Sequence, residues 1–221
     1  MDTFLIATRN THKVEEIAAL LSPSLNCLGL QGFSGVPEIV EDATTFEGNA
    51  AKKAFGLVRW LGGEGKGQCP LVGGARLWVL ADDSGLEVDA LGGAPGVHSA
   101  RFAALDDLTR RGNSPDAENN SKLLSLLQDV PEASRGARFR CVLVLVEVSE
   151  GSGQAEPFVF QGACEGRIAR QPSGVGGFGY DPLFIPTGET ASFAELGAVV
   201  KNRMSHRARA LQELLSFRST R

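Results

Sequence analysis

The sequence predicts an α/β or α+β domain built on a mixed β-sheet. Short runs of consecutive apolar residues recur along the chain, and between them lie segments whose apolar residues repeat every three or four positions. The first pattern is typical of buried strands and the second of amphipathic helices. The chain has 221 residues, 43% of them hydrophobic and 22% charged, which suits one compact unit or two closely packed lobes.

The predicted elements follow one another along the whole chain. A strand over Phe4–Ala7 leads into a polar turn and a helix with Thr11 as its expected cap. Further helices are expected over about 46–61, 117–128 and 205–217, and further strands over about 77–81, 138–148 and 158–169. We expect an acidic turn to end the strand at residue 81. Residues 141–146 are apolar at every position, as in a central strand covered on both faces.

Charge and composition exclude several classes of protein. Lys and Arg total 22 against 26 for Asp and Glu, a net charge of −4, so the basic surface of a nucleic-acid-binding protein is not expected. The longest fully apolar stretch has six residues, far fewer than the roughly 20 that cross a membrane. Four separated cysteines indicate free thiols and a cytoplasmic protein. Six of the thirteen residues 62–74 are glycine, which indicates a flexible insertion without a catalytic role.

Two polar segments at strand ends could carry chemistry. Thr8-Arg9-Asn10-Thr11-His12-Lys13 opens the first helix, where partial positive charge and Lys13 suit a phosphate, although an ordinary capped helix has the same pattern. Asp82 and Asp83 could bind Mg²⁺ and accept a proton. The alternative is that Asp-Asp-Ser-Gly is simply a turn.

Two further segments lie in the second half of the chain. Gly174, Gly176 and Gly179 match G-x-G-x-x-G, but Pro182 would disrupt the helix that a dinucleotide-binding fold requires. The loop could instead present Phe178 to a planar base, unless its aromatic rings are buried in the core. Lys201 and Ser205-His206-Arg207 could bind an anion or form a solvated basic face.

Taken together, these segments resemble the inosine triphosphate pyrophosphatase family, also called Ham1-like. The resemblance runs from Leu5 to about Leu215. Its most specific segments occur in the family's order and are Ala81–Val88, Leu91–Arg101, Gly176–Pro182 and Ser205–Arg207.

The resemblance implies a fold and an activity. The fold would be a single α/β domain over residues 1–221, with an elongated mixed sheet and flanking helices that form two lobes around a central nucleotide cleft. Family members cleave ITP, dITP and XTP to the monophosphate and pyrophosphate with Mg²⁺, removing deaminated purines from the nucleotide pool. They are usually homodimers.

The resemblance also implies roles for individual residues. Asp83 would be the general base and a metal ligand, and the catalytic cations would be Lys13 and Lys53. Residues that bind the phosphates would be Thr8, Arg9, Asn10, Thr11, His12 and Lys13, with Ser84 beside them. Residues around the base would be Phe178, Gly179, Tyr180, Asp181, Lys201, His206 and Arg207.

One position departs from the family pattern. An acidic metal ligand often precedes Asn49, but Gly48 stands there in this chain. Either Glu47 reaches the metal, although it lies about 100° round the helix, or Asp82 and Asp83 hold it alone. The departure also leaves open a catalytically silent nucleotide-binding or sensor module.

Overall fold

The computed structural model describes residues 1–22, 25–69, 75–107, 109–110, 112–149 and 156–219. Its five α-helices are α1 (Thr11–Leu21), α2 (Phe46–Gly62), α3 (Asp116–Leu126), α4 (Phe193–Met204) and α5 (His206–Ser219). Its strands are β1 (Thr3–Ile6), β2 (Asn26–Leu28), β3 (Leu77–Val88), β4 (Gly136–Glu147), β5 (Phe158–Ile168) and β6 (Phe184–Pro186). Every predicted helix and strand is present, and all but one of them end within a few residues of the predicted bounds.

The six strands form one mixed sheet in the order β2-β1-β3-β4-β5-β6. Strand β1 is parallel to both β2 and β3, whereas β5 and β6 are antiparallel. The predicted mixed α/β sheet is therefore confirmed. By its internal contacts the chain divides into two compact units. Unit 1 consists of Met1–Asp83, Cys141–Gln161 and Ala210–Arg221, and unit 2 of Ser84–Arg140 and Gly162–Arg209. The single domain over residues 1–221 stays a prediction.

The core of unit 1 lies on both faces of its part of the sheet. Phe4 and Ile6 of β1 belong to one apolar cluster, with side chains of α1 and α5. Leu5 belongs to a second cluster, which contains the inner face of α2. Strand β4 alternates in the same way, because successive strand residues point to opposite faces. This accounts for the uninterrupted apolar run over residues 141–146.

The core of unit 2 is rich in aromatic rings. Phe139 lies 4.6 Å from Phe184 between ring centroids, and Phe184 lies 5.4 Å from Phe193. The guanidinium of Arg135 is buried and donates to the carbonyl oxygens of Leu127, Ile168 and Ala169 at 2.6, 2.9 and 2.9 Å. One cation thus joins the end of α3 to the end of β5.

The structure corrects one predicted boundary. Strand β3 does not end at residue 81 but continues through Asp82 and Asp83 to Val88. The turn interpretation of this segment is therefore wrong, and lysine side chains bond to both carboxylates. Paired in this way, the two aspartates can remain inside a buried strand.

Part of the glycine-rich segment is structured. Gly65 is buried, and a Cβ there would lie 2.6 Å from the Trp60 ring. The side chain of Gln68 accepts from Ser34 N at 3.0 Å and donates to Ser34 O at 3.1 Å. Residues 70–74 lie outside the described residues. In the part of the chain that the structure describes, no helix is both long and apolar enough to span a bilayer.

Candidate active site

The start of α1 forms the first candidate group, in unit 1. Asn10 caps the helix by accepting a hydrogen bond from Lys13 N at 3.2 Å, so the expected cap at Thr11 is wrong. Asn10 N in turn donates to Thr8 Oγ1 at 3.1 Å. Lys13 is therefore the third residue of a helix whose N-terminal N–H groups carry partial positive charge, which suits a phosphate.

Asp83 is held by two side chains of α2. Its Oδ1 accepts from Lys53 Nζ at 3.0 Å, and its Oδ2 accepts from Asn49 Nδ2 at 3.3 Å. Asn49 and Lys53 are four residues apart, so one face of α2 presents both side chains to the same strand residue. Asp83 is thus a nearly buried carboxylate with each oxygen bonded to a donor.

Glu41 is the residue that sequence reasoning missed. Its Oε2 accepts from Lys53 Nζ at 2.9 Å, so one ammonium lies between the carboxylates of Glu41 and Asp83. A Cβ at Gly48 would lie 2.8 Å from Ala43 Cβ. The segment that leads into α2 therefore fills the space where a side chain at position 48 would begin, and it supplies an acid of its own. No periodicity relates a residue of this segment to Lys53, so the sequence carried no signal for the contact.

The charged side chains of Glu41, Lys53 and Asp83 shift one another's pKa values. Burial raises the pKa of Asp83, and the nearby negative charge of Glu41 raises it further. The charges of Lys53 and Lys13 lower this pKa but do not outweigh burial. Burial also acts to raise the pKa of Glu41, but the charge and hydrogen bond of Lys53 outweigh it and lower that pKa. Burial favours the neutral amine of Lys53, yet the two carboxylates raise its pKa. Of the two acids, Asp83 is the one suited to accept a proton.

Asp82 has a different environment from Asp83, because consecutive strand residues face opposite sides. It is fully buried. Lys13 Nζ donates to Asp82 Oδ1, and Cys141 Sγ donates to Asp82 Oδ2 at 3.2 Å. The carboxylate therefore fixes the ammonium of Lys13 at the start of α1.

The glycine-rich loop of unit 2 folds around a buried ion pair. Asp181 Oδ2 accepts from Lys201 Nζ at 2.6 Å and from Phe178 N at 2.9 Å. A Cβ at Gly177 would lie 2.1 Å from that oxygen, and its φ is +73°, so only glycine fits there. Lys201 Nζ lies 4.4 Å from the centroid of the half-buried Phe178 ring, within cation–π range.

The start of α5 adds two buried side chains, an imidazole and a guanidinium, to unit 2. His206 stacks on Phe139 at 4.8 Å between ring centroids, with 16° between the rings. Arg207 Nη2 donates to Ser84 Oγ at 3.4 Å. Lys201, His206 and Arg207 are each less than 5% exposed. The solvated basic face that the sequence also allowed is therefore wrong.

Four residues of the predicted site lie outside the contact groups described above. The ring of Tyr180 belongs to the core of unit 2, and its hydroxyl donates to Ser99 O at 2.9 Å. Arg9 is exposed and donates to Val36 O. His12 and Glu47 are also exposed. Their roles toward a substrate or metal stay predictions.

A model of the Ham1 family matches residues 4–217. The chain belongs to the Ham1 family. The resemblance inferred from four short segments is thereby confirmed.

Members of the Ham1 family align with this chain over nearly its full length. The dITP/XTP pyrophosphatase of Opitutus terrae is 44% identical over 220 residues, which cover 96% of each chain. The dITP/XTP pyrophosphatase of Desulforamulus reducens is 44% identical over 214 residues, covering 96% of this chain and 94% of the relative. The solved structure of a HAM1 protein from Coxiella burnetii has a TM-score of 0.79 and 35% identity, with 100% of both chains covered.

Within each unit, the structure brings several of the predicted residues into contact with one another. Unit 1 places Lys13, Lys53 and Asp83 in one charged group with Glu41, Asn49 and Asp82. Unit 2 joins Phe178, Asp181 and Lys201 in one contact group and Ser84 with Arg207 in another.

Proposed function

We propose that this chain hydrolyses non-canonical purine nucleoside triphosphates such as dITP, ITP and XTP to the monophosphate and pyrophosphate. The observation that carries the proposal is the Asp83 carboxylate, nearly buried between Lys53 and Asn49 with a raised pKa. The names of the aligned relatives supply the substrate class.

The residues of unit 1 fit a divalent cation. Mg²⁺ is usually held by one or two carboxylates together with substrate phosphates. Glu41 and Asp83 already share one cation, the ammonium of Lys53, so we propose these two carboxylates as the metal ligands in place of the Glu47 alternative. Bound Mg²⁺ would offset phosphate charge and polarise the α-phosphate.

In the proposed reaction, Asp83 is the general base. Each carboxylate oxygen has a second lone pair besides the one that accepts from Lys53 or Asn49, so Asp83 can still accept a proton from water. The water oxygen then bonds to the α-phosphorus, and the bond from this phosphorus to the β-phosphate oxygen breaks. Lys13 and Lys53 offset the negative charge on the departing pyrophosphate.

Base recognition belongs to unit 2. Lys201 Nζ lies over one face of the Phe178 ring. We propose that the purine stacks on the other face. The 6-oxo group and N1–H of hypoxanthine differ from the 6-amino edge of adenine. Leaving a buried polar group unpaired costs about 1–3 kcal/mol, enough for ten- to hundredfold discrimination at each contact.

We further propose a cytoplasmic homodimer. The dimer rests on the resemblance described above, and size-exclusion chromatography with light scattering tests it. Free cysteines suit a reducing compartment, and Cys27, Cys69, Cys141 and Cys164 are all free thiols.

Pyrophosphate release across a panel of nucleoside triphosphates tests the function. With Mg²⁺, we expect kcat/KM for ITP, dITP and XTP to exceed that for ATP by at least tenfold, and excess EDTA should abolish turnover. A protein that binds ITP without releasing pyrophosphate would instead be the silent module, and equal rates for ITP and ATP would mean that unit 2 does not read the base.

A further inference from the structure

Helix α3 places two polar side chains against a single glycine of the glycine-rich loop. Asp116 Oδ2 accepts from Gly179 N at 2.6 Å, and Asn120 Nδ2 donates to Gly179 O at 2.9 Å. Asp116 and Asn120 are four residues apart, so they lie on the same face of α3. The helix thus holds both main-chain polar groups of Gly179.

These two bonds fix the peptides on either side of Gly179. Glycine there has a φ of +63° and no side chain to anchor it, so external hydrogen bonds must select its conformation. The preceding residue is Phe178, and Asp181 follows two residues later. Because the peptides on both sides of Gly179 are fixed, the Phe178 ring and the Asp181 carboxylate are held relative to each other.

A cavity between α3 and the loop makes these bonds more important. It has a volume of about 530 Å³ and is lined by residues of α3 and by Val175–Gly179. A packed surface would resist movement of the loop, whereas an open cavity allows it. On this side, hydrogen bonds from α3 therefore hold the loop.

Asn120 is placed at a cost to stability. The residue is 8% exposed, and its Oδ1 has no hydrogen-bond partner in the described part of the protein. A buried amide oxygen without a partner is unfavourable, and an apolar side chain would avoid that cost. The bond to Gly179 is the gain that an apolar side chain could not provide.

We propose that Asp116 and Asn120 are positioning residues for base recognition, acting on the purine through Gly179 and Phe178. The inference rests on the proposed function, because it assumes that the loop reads the base. It predicts that α3 controls base affinity and selectivity, and that the phosphate-binding groups of unit 1 do not depend on it.

The test separates base recognition from folding and from phosphate binding. Asn120→Leu removes the donor to Gly179 O and the unpaired oxygen together, so the two effects on stability oppose each other and its Tm should stay close to that of the wild type. Asp116→Ala removes the exposed acceptor, Asp116→Asn keeps an acceptor oxygen, and Ser121→Ala is a control on the same cavity wall. For each variant, kcat and KM are measured with ITP and ATP, and inhibition is measured with inorganic triphosphate, which has no base.

We expect the KM for ITP to rise about tenfold in Asn120→Leu and Asp116→Ala, with kcat within about twofold of the wild type. The ratio of kcat/KM for ITP to kcat/KM for ATP should fall, and inhibition by inorganic triphosphate should be unchanged. Asp116→Asn should recover most of the loss, and Ser121→Ala should behave like the wild type. If Asn120→Leu does not fold, the comparison of Asp116→Ala with Asp116→Asn tests the inference by itself.

Unchanged KM and selectivity in the folded variants overturn the inference while leaving the proposed function intact. Equal losses of ITP and inorganic triphosphate binding also overturn it, because they indicate general damage. A wild-type protein that hydrolyses no nucleotide rejects the proposed function and this inference together.

Discussion

In the proposed reaction the chemistry depends on Asp83, and the surroundings of this carboxylate have opposing effects on its pKa. Burial disfavours its charged form, while Lys53 and Asn49 donate to that form. The balance leaves the pKa raised, and a carboxylate with a raised pKa is a stronger base than an exposed one. The type and position of this residue could be predicted from Ala81-Asp82-Asp83-Ser84-Gly85. Its partner Glu41 could not.

Asp83→Asn should lower kcat for ITP by at least ~10², the usual scale for loss of a general base. Asparagine retains the size and one acceptor oxygen, so the fold should be preserved. Single-turnover pyrophosphate release measures the effect, with circular dichroism and Tm as controls for folding. Turnover close to that of the wild type would remove Asp83 from the mechanism.

Cys141 should affect Lys13 through Asp82. Cys141→Ala removes a donor from a buried carboxylate, whereas Cys141→Ser replaces the thiol by a hydroxyl donor. We expect kcat/KM to fall roughly tenfold in the alanine variant and less in the serine variant. Steady-state kinetics with ITP compare them. Equal impairment of the two variants would show that packing, and not the hydrogen bond, is the reason.

Helix α4 shows which sequence signals define an element and which are easily missed. Its start is a capping box: Glu195 N donates to Ser192 Oγ at 3.3 Å, and Ser192 N donates to Glu195 Oε2 at 2.9 Å. Ser-x-x-Glu is a known helix start, so α4 could have been predicted, although Gly197 with a φ of +76° interrupts its periodicity. By contrast, β2 and β6 have three residues each, too few for a pattern.

The capping box should make the stability of α4 depend on pH. The hydrogen bond from Ser192 N, with further bonds from neighbouring hydroxyls, lowers the pKa of Glu195 below its ordinary value of 4.5. A lowered carboxyl pKa contributes stability above the ordinary value, and this is lost as the pH falls through the folded-state pKa. Urea unfolding should therefore show Glu195→Ala less stable than the wild type at pH 7, with a smaller difference near pH 3.

Glu195→Gln is the matched control for that experiment. Its amide oxygen can still accept from Ser192 N but does not titrate, so its stability relative to Glu195→Ala should change little with pH. A wild-type advantage over Glu195→Ala that persists undiminished in acid would contradict the titration argument.

At the scale of the whole molecule, the sequence predicts which strands are buried better than it predicts the order of the strands in the sheet. The apolar run over residues 141–146 correctly indicated a strand covered on both faces, because an uninterrupted apolar run is typical of such strands. The order β2-β1-β3-β4-β5-β6 could not be predicted, since it depends on pairings between residues far apart in the chain. Glu41 beside Lys53 was missed for the same reason.

Each of the two compact units contains a buried cysteine. Cys141 in unit 1 and Cys164 in unit 2 are at most 1% exposed, and burial raises the pKa of Cys164 to about 11. Alkylating reagents attack the thiolate, so at neutral pH either sulfur should be modified only when its own unit opens. Peptide mass spectrometry after timed iodoacetamide treatment can follow the two separately.

Adding ITP at 100 times its Kd, under conditions without turnover, should slow modification of any thiol that reacts only from the ligand-free open state by about a hundredfold. If Cys141 is protected and Cys164 is not, opening of unit 2 does not require the nucleotide to dissociate. The buried sulfurs therefore allow the opening of each unit to be followed by chemical modification, with no engineered residue in the chain.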